Sequence, residues 1–234
     1  MFSKKTVKYL LAIAVAAALP LSSFFILRSI SDGRIHMPAH YRVDRVDSSR
    51  DADGKVVYDT VFHRVKELTL TNQLGKEVSL NKDLKGKILV VDFIFTSCRS
   101  VCPRLTDRMR LIQKSYIKKN PDWVQFISIS VDPEHDSVEA LRAYADRYQA
   151  DHDRWWFLTG DRDKIFDYAR NELGLSLQPS DGNPGMLDHS EKFVLIDTAR
   201  YIRGYFNGLD IVDDRKIADD ISILTMEKIK KKKQ

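Results

Sequence analysis

Cysteine is scarce in this chain of 234 residues, which contains only Cys98 and Cys102. Two cysteines four positions apart cannot form the set of several disulfides that stabilises many small secreted proteins. The sequence also has no internal repeat and no sign of a second domain, and its length suits one domain with a substantial core after an N-terminal segment. The two cysteines therefore form either a local site or a local bridge.

A basic surface that could bind nucleic acid is also missing. The formal net charge is +5, but five lysines cluster at the C-terminus, and the remaining charges balance. A short lysine run at the end of a chain is typical of a solvated helix end. We therefore do not expect nucleic acid to be a partner.

The one long uncharged stretch is residues 9–27. It is longer than the core of a signal peptide, about 7–15 residues, and close to the ~20 residues that cross a bilayer. We expect it to be a single transmembrane anchor, or a signal peptide, after a cytoplasmic tail at residues 1–8. Arginines follow the stretch, so the charge count does not fix its orientation, but the short basic tail favours a cytoplasmic N-terminus. Residues 28–41 are then a linker, and residues 42–230 a domain that faces the periplasm or the outside of the inner (cytoplasmic) membrane.

The pattern of apolar residues predicts an α/β fold. Two hairpins are expected first, at residues 41–61 and 65–80. Strand and helix patterns then alternate, which indicates parallel strands with right-handed crossovers, and a last hairpin and helix complete a mixed central sheet flanked by helices. The later strands are predicted at residues 88–95, 123–131, 155–159, 192–196 and 201–206, and the helices from about residues 103, 136, 161 and 214. Asp136 and Glu139 have the spacing of a capping box, and Asp161 is expected to cap the helix that follows it.

Both cysteines lie where a strand is predicted to pass into a helix. Pro103 is expected at the first helical position, which leaves Cys102 just outside the helix, where the partial positive charge of the helix end lowers the pKa of a thiol. Cysteines four positions apart in helical geometry have Cβ atoms about 5–6 Å apart, so both sulfurs can reach one ion or form a disulfide. The residues alone leave open a metal site, a redox pair, a structural disulfide and two inert thiols.

A third metal ligand would have to come from a histidine. Two thiolates and an imidazole suit copper, as Cu(I) or as part of a Cu(II) sphere. His135 and His152 lie in charged loops and are expected to face solvent. His189 follows a glycine- and proline-rich loop at residues 175–187 and directly precedes a strand. On spacing alone, it remains an open candidate.

Several short segments carry a resemblance to a known family. T-S-C-R-S-V-C-P, beginning at Thr96, is followed by S-V-D-P-E-H-D, L-T-G-D and, around His189, D-H-S. This combination resembles the SCO/SenC family over roughly residues 60–230. The resemblance implies a thioredoxin-like fold, a membrane tether and an exported copper-chaperone domain. It also implies that Cys98, Cys102 and His189 bind copper for delivery to the dinuclear CuA centre of cytochrome c oxidase subunit II, or to another copper or thiol protein.

Asp92 falls six residues before Cys98 in the segment V-V-D-F-I-F-T-S-C. This segment is similar to the thioredoxin strand that carries a buried aspartate at the same distance from its first cysteine. A buried carboxyl group has a raised pKa and can exchange a proton with a thiol. Asp92 is therefore a candidate proton shuttle for the cysteine pair, and the alternative is an aspartate that faces a polar pocket at the strand edge.

Three functions compete at this point. A metallochaperone needs Cys98, Cys102 and His189, and it is not an enzyme. A thiol-disulfide oxidoreductase that reduces partner cysteines before metal loading uses the same two sulfurs without His189. A peroxidase of the peroxiredoxin type is disfavoured, because the Pro and Thr that precede a peroxidatic cysteine are missing and only Thr96 is nearby.

Overall fold

The computed structural model describes residues 8, 16, 18–26, 37–117, 122–180, 183–188 and 191–232. The chain divides into two compact units, Met1–Met37 and Pro38–Gln234. In the first unit, residues 18–26 are helical. Within the described part of the chain, no helix is both long and apolar enough to cross a membrane. Much of the predicted anchor, and all but residue 8 of the predicted tail, lie outside the described residues.

The second unit has the predicted order of strands and helices, with one additional hairpin that was not predicted. Its elements are β1 (Val43–Arg50), β2 (Val56–Phe62), β3 (Thr69–Asn72), β4 (Glu77–Ser79), β5 (Ile88–Ile94), α1 (Val101–Ile117), β6 (Val124–Ser130), α2 (Val138–Arg147), β7 (Trp155–Thr159), α3 (Arg162–Asp167), β8 (Gln178–Ser180), β9 (Asn183–Asp188), β10 (Lys192–Ile196), β11 (Ile202–Asn207) and α4 (Ile211–Lys232). A π-helical turn, Tyr168–Glu172, continues α3.

The central sheet has the strand order β11-β10-β5-β6-β7-β3-β4. Strands β5, β6 and β7 are parallel, and the other neighbours pair antiparallel. Every residue of β5 and β6 is buried, as expected for parallel strands that are covered on both faces. The predicted mixed α/β sheet is therefore confirmed. Because β10 is antiparallel to β5, the first residues of β10 lie beside the last residues of β5.

The predicted N-terminal hairpin is also confirmed, as a separate ribbon of β1 and β2. Gly54 in its turn has a φ of 78°, a left-handed conformation that favours glycine. Asp51 Oδ1 accepts hydrogen bonds from the N–H groups of Asp53 and Lys55, which fixes the turn. All residues of β1 are exposed, so the ribbon contributes little to the core.

A buried histidine fastens this ribbon to the rest of the domain. His63 Nδ1 lies 2.8 Å from Asp44 Oδ1, and His63 Nε2 lies 3.0 Å from Glu172 Oε2. Glu172 also accepts the backbone N–H of Lys66 at 2.9 Å. Both ring nitrogens of His63 are thus engaged with carboxylates, and the ring joins β1 to the π-helical turn.

Helix α1 begins earlier than its sequence predicts. It starts at Val101 rather than at Pro103, so the expectation that Cys102 lies outside the helix is wrong, and Cys102 belongs to the first turn. The first N–H groups of a helix have no partner within the helix, so a proline third in line removes no hydrogen bond. Cys102 precedes Pro103, and a residue in that place usually prefers extended backbone. Here Cys102 is helical instead.

Helix α2 is capped by Ser137, whose hydroxyl accepts the N–H of Ala140, and not by Asp136 as the spacing suggested. The predicted cap of α3 is confirmed, since Asp161 accepts the N–H of Lys164. Helix α4 begins three residues before its predicted start. Asp210 Oδ1 accepts the N–H of Val212 and supplies the N-terminal acceptor there.

The predicted loop at residues 175–187 contains regular structure. Its chain forms an antiparallel hairpin in which β8 pairs with β9. Proline in both strands and glycine in β9 hid this pairing from the sequence pattern. The hairpin ends at Asp188, immediately before the candidate ligand His189.

Candidate metal centre

Cys98 and Cys102 come together at the carboxyl end of β5. The backbone N–H of Cys102 donates a hydrogen bond to Cys98 Sγ at 3.3 Å. Cys98 is half-buried, Cys102 is only 1% exposed, and both are free thiols. The predicted juxtaposition of two sulfurs is confirmed, and they are not joined in a disulfide.

The thiol favoured for ionisation is Cys98. Partial burial acts to raise its pKa, but hydrogen bonds from the Cys102 thiol and from the backbone N–H groups of Cys102, Ser100 and Val101 outweigh burial and lower the pKa below the ordinary value. These N–H groups belong to the start of α1 and the turn that precedes it, so the helix end stabilises a thiolate. The sequence predicted this effect for the wrong cysteine of the pair.

Cys102 behaves in the opposite way. Burial raises its pKa well above the ordinary value, and the hydrogen bond to Cys98 and the charges of Cys98 and Asp92 raise it further, against a backbone hydrogen bond at Phe95. The centre therefore combines one accessible thiol that ionises readily with one buried thiol that keeps its proton. A metal ion could bind both sulfurs only if Cys102 released that proton.

Asp92 lies inside the sheet. It is fully buried in β5, and neither carboxyl oxygen makes a hydrogen bond of ordinary geometry. Burial raises the pKa of Asp92 to about 7, although the nearby Ser128 hydroxyl opposes the rise. The alternative of a polar pocket at the strand edge is wrong. The charge of the buried Asp92 carboxylate contributes to the raised pKa of Cys102. Its role as a proton shuttle stays a prediction.

The two loop histidines lie elsewhere. His135 is exposed, as predicted, and its Nδ1 lies 2.9 Å from Asp132 Oδ1. His152 is half-buried rather than solvent-facing, and its two ring nitrogens lie 3.0 Å from Gln73 Nε2 and 2.8 Å from Asp146 Oδ1. Among the described residues, neither ring is grouped with the two thiols so that the three could hold a metal ion.

His189 lies outside the described residues. The described chain resumes at Glu191, whose carbonyl accepts the N–H of Gly208 at 2.8 Å. In the register of β10 against β5, Val194 pairs with Val91, so the start of β10 lies beside the end of β5. From residue 191 onwards, the chain therefore lies near the end of β5 that leads to the cysteines. No three His, Cys, Asp or Glu side chains of the described residues are grouped so that they could hold a metal ion.

Comparison with known proteins decides the family. Residues 59–225 match the family model of SCO1/SenC. The chain belongs to the SCO1/SenC family. The SCO1 protein homolog of Bacillus subtilis (strain 168) is 34% identical over 175 residues, which are 72% of this chain and 89% of that protein.

Solved structures of the family share the fold. BsSco, described as a member of the Sco family of cytochrome c oxidase assembly proteins with a disulfide switch, is 33% identical with a TM-score of 0.61 over 70% of this chain and 94% of that one. Bradyrhizobium japonicum ScoI, solved with copper bound, is 26% identical with a TM-score of 0.56 over 68% of this chain and 98% of that one. The predicted family and its thioredoxin-like α/β fold are confirmed.

Two side chains of this SCO1/SenC domain, Tyr144 and Asp136, were missed in the sequence, and each hydrogen-bonds a threonine close to one of the cysteines. Tyr144 of α2 lies 2.9 Å from the Thr106 hydroxyl, which donates to the Cys102 carbonyl at 2.8 Å. Asp136, interpreted as a helix cap, instead binds Thr96. The S-V-D-P-E-H-D segment contained the signal for Asp136, but the capping pattern with Glu139 offered a simpler local explanation.

Proposed function

We propose that this protein is a copper metallochaperone that binds one copper ion through Cys98, Cys102 and His189 and delivers it to the CuA centre of cytochrome c oxidase. The observation that carries the proposal is the pair of free thiols at the end of β5, with Cys98 Sγ 3.3 Å from the Cys102 N–H. Two sulfurs and an imidazole form a donor set that copper prefers. The copper-bound relative from B. japonicum supports copper as the cargo.

The two thiols have different roles in loading. Cys98 is the entry ligand, because it is accessible and its lowered pKa favours the thiolate. Cys102 joins when it gives up its proton, and Asp92 is the buried neighbour able to receive it. His189 completes the set from the segment that precedes β10. Release to a recipient copper or thiol protein reverses these steps by ligand exchange.

We propose further that residues 9–27 anchor the domain to the inner membrane. The uncharged length of this segment supports an anchor. Residues 1–8 then remain in the cytoplasm, residues 28–41 form the linker, and residues 42–230 face the periplasm or the outside. In that place the domain can meet subunit II of the oxidase.

Anaerobic titration of the reduced protein with Cu(I), with ligands counted by X-ray absorption, tests the copper site. We expect one ion per chain with two sulfur ligands and one nitrogen ligand. Groups that only orient a metal ligand contribute about 10–100-fold to affinity, so loss of the ligand in His189→Ala should weaken binding by at least about tenfold and remove the nitrogen signal.

The matched control for this titration is His135→Ala, which removes an exposed imidazole whose ring contacts only Asp132 among the described side chains. It should bind copper as the wild type does. A folded, reduced wild type that takes up no copper, or a His189→Ala variant with undiminished affinity, would refute the proposed site.

The second candidate function is thiol-disulfide oxidoreduction. The unequal pKa values of Cys98 and Cys102 favour it, as does the disulfide switch described for BsSco. The Cys98 thiolate would attack a partner disulfide and release one partner thiolate. Cys102, after passing its proton to Asp92, would attack the Cys98 sulfur and release the second. The partner gains two electrons, and the Cys98–Cys102 pair becomes a disulfide.

Substitution Asp92→Asn tests the proton shuttle. The wild-type rate of disulfide reduction should rise with pH through about 7, because only the ionised Asp92 carboxylate can accept a proton. Proton transfer by a positioned group is worth about 100-fold or more, so Asp92→Asn should slow the reaction by about that factor at pH 8 and remove the inflection. Stopped-flow kinetics from pH 5 to 9 would measure both.

Stability supplies the control for Asp92→Asn. The folded pKa is raised, so the folded state holds the proton more tightly, and stability is lost as pH rises from 3.8 to about 7. The neutral amide that replaces the carboxyl group should remove this loss, and the variant should be at least as stable as the wild type at pH 8. An unchanged rate profile in a folded variant would exclude Asp92 from proton transfer.

A further inference from the structure

Asp136 holds a buried carboxyl group that the proposed chemistry does not use. It is 1% exposed, at the end of the segment that joins β6 to α2. Its two oxygens each lie 3.2 Å from the Thr96 backbone N–H. Oδ1 also accepts the Thr96 hydroxyl at 2.5 Å, and Oδ2 accepts the Ser130 hydroxyl at 2.5 Å. A buried carboxylate needs such donors, because burying one without them is very unfavourable.

These hydrogen bonds do not cap α2, which is the role that the sequence pattern predicted for Asp136. Ser137 caps α2, so the carboxylate is not needed there. Its partners instead lie at the ends of the two central strands. The last backbone hydrogen bond between them runs from the Val131 N–H to the Ile94 carbonyl, at 2.9 Å. Beyond that point the sheet ladder stops, and Asp136 continues the connection between the two chain segments through its side chain.

Asp136 binds the chain segment that contains Cys98. Thr96 is two residues before Cys98, and the N–H of Cys98 donates to the Phe95 carbonyl at 3.2 Å, which closes a tight turn. This turn aims Cys98 Sγ at the Cys102 N–H, 3.3 Å away. Thr96 donates both its N–H and its hydroxyl to one carboxylate, so the turn is held from the β6 side in addition to its own hydrogen bond.

We infer that Asp136 is a positioning residue for the thiol pair: through Thr96 it sets the conformation of the Phe95–Cys98 turn and thereby the distance between the two sulfurs. The inference deepens the proposed function, and its connection to copper rests on that function. The geometry of the turn in the metal-free protein does not depend on copper binding. An experiment on the metal-free protein can therefore test the role of Asp136 separately from the proposed function.

The test compares Asp136→Ala with the wild type in the full-length reduced protein. Amide hydrogen exchange of residues 95–98 is measured without metal, together with the midpoint potential of the Cys98–Cys102 couple and the Cu(I) dissociation constant. Loss of a group that orients a ligand costs about 10–100-fold in affinity. We therefore expect Cu(I) binding to weaken by about tenfold or more. Loss of a hydrogen bond to a charged group should also accelerate exchange at Thr96 and Cys98 by about tenfold or more, and the altered turn should shift the potential.

Three further variants make the result specific. Asp136→Asn keeps one acceptor for the Thr96 N–H and should restore most of the protection. Thr96→Val removes only the hydroxyl bond and should shift the same readouts in the same direction by less, even if Asp136→Ala folds poorly. Asp132→Ala removes a carboxylate of the same segment that bonds His135 rather than Thr96, and it should leave all three readouts unchanged.

Unchanged exchange, potential and affinity in both Asp136→Ala and Thr96→Val would overturn the inference and leave the copper site standing. A rise in exchange spread evenly over the domain, with no effect of Thr96→Val, would also overturn it, because Asp136 would then serve only general stability. If the wild type binds no copper, the proposed function fails, while exchange and potential still decide the role of Asp136.

Discussion

Iodoacetamide in limiting amount is expected to modify Cys98 at pH 7 and to leave Cys102 almost untouched, with a rate ratio above about 1,000. The thiolate is the reacting form, and each unit of pKa changes its fraction tenfold. The pKa of Cys98 is lowered and that of Cys102 is raised far above the ordinary range, and Cys102 is also shielded from reagent. Mass spectrometry of the labelled peptides over time would measure the ratio.

The pH profile and two variants control this prediction. The Cys98 rate should fall to half at a pH below that of an ordinary thiol, because its thiolate survives to lower pH. Cys98→Ser should abolish the fast phase. Cys102→Ser should retain it, since a serine hydroxyl and the backbone N–H at position 102 still donate to the Cys98 sulfur. Equal labelling of the two cysteines would contradict the asymmetry of the site.

The second large effect is expected far from the thiols. Arg200→Ala should lower the free energy of unfolding by about 3–5 kcal/mol, because each buried acceptor left without a donor costs about 1–3 kcal/mol. Arg200 is buried in the turn between β10 and β11, and its guanidinium donates to the carbonyls of Leu80, Leu84 and Lys87 and to Asn81 Oδ1, at 2.7–2.9 Å. Urea unfolding followed by circular dichroism would measure the loss.

The controls for Arg200 separate hydrogen bonding from charge. Arg200→Lys keeps the charge but has one nitrogen in place of three, so it should recover only part of the stability. Arg142→Ala removes an exposed arginine of α2 and should change stability by less than about 0.5 kcal/mol. If Arg200→Ala were as mild as Arg142→Ala, the network around the start of β5 would not be an important source of stability.

Sequence reasoning succeeded where one local pattern decides the structure. β5 and β7 are short and mostly apolar, as expected for strands buried on both faces, and β7 was predicted at its observed bounds. Asp92 was noticed because its segment resembles the thioredoxin strand that carries a buried aspartate. The position of two sulfurs on one connection also follows from spacing alone, and in the structure Cys98 Sγ accepts hydrogen bonds from the N–H and the thiol of Cys102.

Sequence reasoning failed where a contact with a residue far away in the sequence determines the structure. Spacing assigned Asp136 to a helix cap, but Thr96, 40 positions away, binds it instead. Likewise, the contact between His63 and Glu172 joins residues 109 positions apart, and no periodicity in either segment indicates it. The position of β3 beside β7, at the far side of the sheet from β10, also depends on packing between elements rather than on any single segment.

The sheet order has a consequence for synthesis of the protein. β5 lies between β6 and β10, yet the ribosome makes β10 only after it has made α1, β6, α2, β7, α3, β8 and β9. Until then, one side of β5 has no neighbouring strand, and an unpaired strand edge can pair with a wrong chain. The nascent protein therefore carries its two thiols beside an open edge, and their neighbourhood is completed only near the end of translation.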